Sequence, residues 1–151
     1  MTMRCSLSRP VAALLLAAGL SPVAAAEFRS VAVPAAILYD GPSLQAKKRF
    51  VAPRGMPVEV LAAPDAFWVK ARDLSGDQFW IARRDLGSAR SVIAAVPATI
   101  RQSPSETAPA VLQVERGVLL EPLGTASGGW LPVRHRDGVT GHVRATEVWG
   151  D

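Results

Sequence analysis

The chain carries one pattern twice. Pro42 to Gly87 aligns without a gap on Pro104 to Trp149, at a constant offset of 62 residues. Ten of the 46 aligned positions are identical: Pro42/Pro104, Ser43/Ser105, Ala46/Ala108, Arg54/Arg116, Gly55/Gly117, Glu59/Glu121, Leu61/Leu123, Trp68/Trp130, Arg72/Arg134 and Gly76/Gly138. Apolar character is kept as well at Val69/Leu131, Ala71/Val133, Ile81/Val143 and Leu86/Val148. Upstream, Ala32-Val33-Pro34-Ala35 matches Ala95-Val96-Pro97-Ala98 after a one-residue shift. Whatever the fold is, it must be complete, or nearly so, in about 60 residues and be built twice. The boundary falls near Ser88 to Arg90, which gives units of residues 27–89 and 90–151.

The repeat begins only after residue 26 because the first stretch has another character. Arg4 and Arg9 give a positive start, Val11 to Leu20 form a short apolar run, and Ala24-Ala25-Ala26 supplies the small residues that a signal peptidase reads. This is the three-part form of a secretory signal, with cleavage expected after Ala26 and a periplasmic or secreted product. The apolar run is about half of the ~20 residues that span a bilayer, so no membrane span is expected after cleavage. The one cysteine, Cys5, precedes the run and leaves with it, so no disulfide and no cysteine nucleophile is expected in the mature chain. Arg4 and Arg9 also account for two of the 17 basic side chains; the rest stand against 13 acidic ones, a nearly balanced surface. A nucleic-acid partner is not expected from such a balance.

Prolines and glycines recur every few residues and would break a helix longer than two turns. Between them lie short alternating runs: Val58-Glu59-Val60-Leu61, Trp68-Val69-Lys70-Ala71-Arg72 and Val143-Arg144-Ala145. Val69 and Ala71 fall on one face of a strand, against Trp68, Lys70 and Arg72 on the other; Leu131 and Val133 repeat this against Trp130, Pro132 and Arg134. Period two with one apolar face is the mark of a half-buried strand. In Arg136-Asp137-Gly138-Val139, Asp-Gly tolerates the positive φ angles of a tight hairpin. The expected class is all-β: two tandem small barrels, packed as a fixed or semi-rigid pair because no long Gly/Ser or Pro linker joins them.

With these residues in place, the pattern resembles the bacterial Src-homology-3-like domain of exported proteins. "ILYDGPS", "RGMPVEVL", "FWVKARD" and "FWIARRDLG" carry the resemblance in the first copy, and "TIRQSPS", "RGVLLEPL", "GWLPVRHRDG" and "GHVRATEV" carry it in the second. It covers nearly all of the chain after the leader. The resemblance implies two SH3-like barrels in a small exported protein and, by analogy with family members that target cell-wall peptides, a binding role. Leu38-Tyr39-Asp40 is similar to a tripeptide of the proline-peptide-binding signalling domains. Aligned at the upstream shift, the second copy places Arg101-Gln102-Ser103 there, so the fold does not demand the tyrosine.

Positions kept in both copies are expected to build the fold, and positions that differ can carry specificity. Trp68 and Trp130 are expected to cap a barrel end, with a shared ligand platform as the alternative. Tyr39, Phe67, Phe79 and Trp80 are aromatic in the first copy only; the alignment sets them against Gln102, Gly129, Gly141 and His142. Rings suit sugars and peptide side chains, and the alternative is that they pack between the copies. Lys47-Lys48-Arg49, the densest basic run, fits a solvated loop or an anionic partner. Counted back from Asp137-Gly138, His135 and His142 fall on one hairpin face, where Asp137 would be a third metal ligand; no CxxC or HExxH spacing supports such a site, and no metal or other cofactor is expected. No Gly-x-Ser-x-Gly elbow presents a serine, and Glu59 and Glu121 lie beside strands in both copies, so an enzyme is not expected.

The expected function is a non-catalytic binding module of the cell envelope that recognises peptidoglycan peptide or glycan through the first copy. Tyr39, Asp40, Trp68 and Trp80 are the expected ligand-binding residues, with Asp40 pairing an amine of a stem peptide. The competing function is a periplasmic protein–protein interaction or scaffolding subunit that binds no small ligand and takes an envelope protein along an exposed edge strand.

Overall fold

A computed structural model describes residues 25–151. The leader expected over 1–26 lies outside the described residues apart from its last two. The alternating runs are strands, and the first unit holds seven: β1 (Glu27–Val31), β2 (Ala35–Tyr39), β3 (Lys48–Pro53), β4 (Pro57–Ala62), β5 (Trp68–Arg72), β6 (Gln78–Ala82) and β7 (Leu86–Gly87). The second holds β8 (Val92–Ala94), β9 (Ala98–Arg101), β10 (Ala110–Val114), β11 (Leu119–Pro122), β12 (Trp130–His135), β13 (Thr140–Arg144) and β14 (Val148–Trp149). A short 3-10 turn precedes the last strand of each unit, at Arg83–Asp85 and at Ala145–Glu147. No helix among the described residues is long and apolar enough to cross a membrane.

Each unit forms one antiparallel seven-stranded sheet. The orders are β3-β2-β6-β5-β4-β1-β7 and β10-β9-β13-β12-β11-β8-β14, one sequence of neighbours read twice. The alternation predicts the inner faces: Val69 and Ala71 are 2% and 0% exposed, and Leu131 and Val133 are 1% and 0%. Leu38, Val58, Phe79 and Ile81 join the first core; Ile100, Leu120 and Val143 join the second. The repeated Glu–Arg pairs lie opposite one another across β4–β5 and β11–β12. Arg72 Nε donates to Glu59 Oε2 at 2.7 Å, and Arg134 donates to both oxygens of Glu121. The two glutamates therefore serve cross-strand ion pairs, which accounts for the recurrence of all four residues.

The Asp-Gly hairpin closes differently from expectation. Gly138 alone takes a positive φ, at 94°, while His135 and Val139 close the turn through a 2.8 Å backbone bond. Three residues thus lie in the loop, with glycine at the left-handed position, as in a type I turn with a bulge. The first unit repeats this with Gly76 at 87° between Asp73 and Asp77.

Register also corrects the alignment upstream. Tyr39 pairs with Trp80, and Arg101 pairs with His142. Asp40 N–H bonds Lys47 O as Gln102 N–H bonds Pro109 O. The offset of 62 therefore already holds at Tyr39, whose counterpart is Arg101 and not Gln102. Leu38 and Ile100, both buried, are the equivalent core residues. The one-residue shift belongs to the β1–β2 connection, where a slip costs nothing, whereas a slip inside β2 would turn its core face outward.

A different pair of rings meets between the copies. Phe28 of β1 meets Trp149 of β14 edge to face, with centroids 4.9 Å apart and planes at 86°. Ser30 Oγ donates to Ala89 O at 2.7 Å beside this pair. Gly150 fits because it has no side chain: a Cβ there would lie 2.7 Å from Pro57 Cβ and 2.8 Å from Ser91 O, at a φ of +121°. Gly150→Ala is expected to loosen the contact between the units at a cost of about 1–3 kcal/mol. Faster tryptic cleavage near Arg90 than in wild type checks this; an unchanged rate would mean that the contact does not hold the units together.

Candidate functional site

Paired strands place residues of the same face side by side, and this assembles the aromatic residues of the first unit. Across β5–β6, Trp68 lies opposite Ala82 and Lys70 opposite Trp80; across β2–β6, Tyr39 lies opposite Trp80. Tyr39, Lys70, Trp68 and Trp80 therefore share the outer face, away from the core face that carries Phe79 and Ile81. Tyr39 and Trp68 touch edge to face, centroids 5.4 Å apart at 89°. Tyr39 is only 6% exposed, so its ring props Trp68, while both tryptophans are half-buried.

Asp40 sits at the rim of this face, exposed, with Oδ1 accepting Lys47 N–H at 3.0 Å. It closes the loop between β2 and β3. Asp65 does similar work at the other end, accepting from the backbone N–H groups of Phe67 and Trp68 at 2.7 Å each. That fixes the entry to β5 and leaves the Phe67 ring 75% exposed. Phe79 is not part of the face: it is 2% exposed and belongs to the core.

The same face of the second unit is built from other chemistry. Trp130 stands where Trp68 does, but Arg144 replaces Ala82, and its guanidinium lies 4.5 Å from the Trp130 ring centroid. Arg101 replaces Tyr39, His142 replaces Trp80, and Glu106 replaces Leu44 on an equivalent loop. Glu106 bonds Arg144 and lies 3.8 Å from Arg101. Trp130 is 7% exposed beneath this cover. One face thus presents rings and the other an ion-paired lid over a ring.

Lys70 belongs to the first unit's face and was not singled out from sequence. The strand pairing that brings Lys70 beside Trp80 is the signal that points to it. Leu44 is 55% exposed on the 41–47 loop. Two concavities lie elsewhere. One of about 160 Å³ opens at the junction, beside Phe28, Arg29, Arg90 and Asp151, and one of about 130 Å³ lies beside Val60, Val69 and Leu86.

The histidines do not share a face. Pro132 lies opposite His142 and Arg134 opposite Thr140, so His135, the next residue along β12, points to the other side of the sheet. Its Nδ1 instead lies 2.7 Å from Asp137 Oδ1. The His135 contact, helped by the Val139 N–H, holds the Asp137 carboxyl below its ordinary range. No group of three or more metal-ligating side chains occurs among the described residues.

Comparison with known proteins assigns one unit. Residues 94–150 match the family described as the bacterial SH3 domain, so the second unit contains such a domain. No curated protein matches the chain. Among solved structures, NlpC2 from Trichomonas vaginalis is 14% identical with a TM-score of 0.39, over 83% of this chain and 48% of that one. NlpC1 from the same organism is 16% identical with a TM-score of 0.39, over 93% and 51%. An NlpC/P60 family protein from Bacillus cereus is 16% identical with a TM-score of 0.39, over 82% and 56%. The chain spans about half the length of these structures.

Proposed function

We propose that the protein is a non-catalytic binding module of the cell envelope, and that its first unit is a second bacterial SH3 domain that takes peptidoglycan-derived peptide or glycan on the Trp68–Trp80 face. The observation that carries this is the difference between the two equivalent tryptophans. Trp130 is roofed by Arg144, whereas Trp68 faces only Ala82 across the strand pair and stays partly open. Trp80 and Lys70 extend the surface, Tyr39 holds Trp68 upright, and the second oxygen of Asp40 can accept from a stem-peptide amine. Rings supply large contact area at little entropic cost, which suits sugar faces and the apolar parts of short peptides. The leader-like segment over 1–26 supports a periplasmic or secreted setting, where such ligands occur.

Titration of residues 27–151 with purified muropeptides, followed by tryptophan fluorescence, tests the assignment. Trp80→Ala and Trp68→Ala are each expected to weaken binding by about tenfold or more, the usual effect of truncating a central aromatic anchor. The Trp80→Ala melt should remain close to wild type, whereas Trp68→Ala also uncovers the buried Tyr39 ring and should melt lower, so Trp80→Ala is the cleaner test. Wild-type protein that shows no saturable change at millimolar muropeptide would remove the site.

A specific observation also favours the scaffolding function. β3 ends the first sheet, and it leaves Phe50 53% and Val51 65% exposed beside Lys47, Lys48 and Arg49. In the second unit the counterpart of Val51 is Gln113, a usual residue for a bare edge. A scaffold would tolerate Trp80→Ala and lose its partner on Val51→Lys.

A further inference from the structure

We propose that the second unit holds a carboxylate-binding site made by Arg101, Arg144 and Trp130, in which Glu106 of the same chain stands as an internal ligand. The site is separate from the aromatic face of the first unit and does not depend on it.

Two guanidinium groups converge on the one Glu106 carboxylate, and each is held in place by something else. Arg101 donates from a terminal nitrogen to Ala108 O at 2.9 Å, and its side chain is only 25% exposed. The Arg144 guanidinium lies over the Trp130 ring, 4.5 Å from its centroid. Glu106, by contrast, is 57% exposed on the loop between β9 and β10 and makes its polar side-chain contacts only with these two arginines. Withdrawing it would leave two positioned guanidinium groups, that of Arg144 over the Trp130 ring. Planar, bidentate donors of this kind match carboxylates. His142, in register with Arg101 on the same face, adds a buried Nδ1 with no hydrogen-bond partner.

The first unit has Tyr39, Leu44 and Ala82 at the three positions held in the second by Arg101, Glu106 and Arg144. All three differ together, while Trp68 and Trp130 persist. The ligand class is a small molecule with a free carboxylate, such as a peptide C-terminus or an acidic sugar. It must displace a tethered competitor, whose effective concentration is in the millimolar range or above. Wild-type protein therefore binds weakly, and removal of the internal carboxylate strengthens binding.

The test uses Glu106→Gln, which keeps the side chain's size and removes its charge. The arginine Nε–H signals of Arg101 and Arg144 are followed by NMR during titration with N-acetyl-alanyl-alanine, with its C-terminal amide, and with N-acetylmuramic acid. The expected result is saturable shifts of both arginines with the carboxylate peptide, about fivefold tighter or more in Glu106→Gln than in wild type, and none with the amide. N-acetylmuramic acid binding as well as the peptide would place the acid on a sugar; binding of the peptide alone would place it on a chain end. Arg144→Gln in the Glu106→Gln background should remove the response while the thermal melt is retained. Equal shifts with acid and amide, or no shift in Glu106→Gln, would overturn the proposal.

Discussion

Phe79→Gly, which gives the first unit the residue that the second unit carries at that position, is expected to unfold the first unit and leave the second intact. The ring is 2% exposed at the centre of the core formed by Leu38, Val58, Val69 and Ile81. Truncating a buried phenylalanine to alanine costs about 3–5 kcal/mol, and glycine in a strand adds roughly 0.5–1 kcal/mol. A unit of about 60 residues has a net stability near the low end of the usual 5–15 kcal/mol, so the loss consumes most of it. Its neighbours cannot close the gap. Ala71, Ala52, Val58 and Val69 are each smaller than their counterparts Val133, Val114, Leu120 and Leu131. The first core spends its volume on one ring, and the second spreads it over four side chains. NMR should show loss of dispersed signals from residues 27–87 with those of 92–149 retained. A folded first unit in Phe79→Gly would mean that the ring is not what fills this core. Phe79→Leu, which keeps most of the volume, should stay folded and separates a cavity effect from a chemical one.

The same pair shows what the sequence could and could not disclose. The repeat, the period-two faces and the glycine turns are local patterns, so strand content, inner faces and the equivalence of the units were all readable. Phe79 and Trp80 are adjacent and both aromatic in one copy only, and comparison position by position treats them alike. Alternation separates them: Phe79 points inward and Trp80 outward, and the compensating changes at Ala52, Ala71, Val58 and Val69 are scattered over three other strands. Volume exchange among non-neighbouring positions leaves no local signature. The misplaced shift at Tyr39 has a related cause. An apparent Ala-Val-Pro-Ala match sits in a connection, and only the pairings Tyr39–Trp80 and Arg101–His142 fix where the extra residue lies. His135 was set on the wrong face because the turn holds one residue more than a two-residue hairpin, and each added residue inverts the side.

The reciprocal substitution is the sharper test of how the second unit is assembled. Gly141 is close-packed from the backbone side: a Cβ there would lie 2.6 Å from Arg101 O, 2.6 Å from Ile100 Cγ2 and 3.1 Å from Val111 Cγ2. A flexible side chain could swing clear, but the Arg101 carbonyl belongs to β9, and β9 meets β13 in register only at His142 and Arg101. Gly141→Ala must therefore push β9 away from the seam that closes this part of the sheet. The expected cost is about 2–3 kcal/mol, against which alanine's better strand propensity recovers less than about 1 kcal/mol. For a unit of this size that corresponds to a fall in melting temperature on the order of 10 °C, confined to the second unit. Because Arg101 is carried on the displaced strand, the same change should also separate its guanidinium from Glu106. The Arg101 Nε–H signal should then move in Gly141→Ala even below the transition. Loss of stability without that movement would place the strain at Ile100 and Val111 instead of at the carbonyl. An unchanged melt would show that β9 and β13 stand further apart than a glycine-only contact allows, and that the residue could have been any small one.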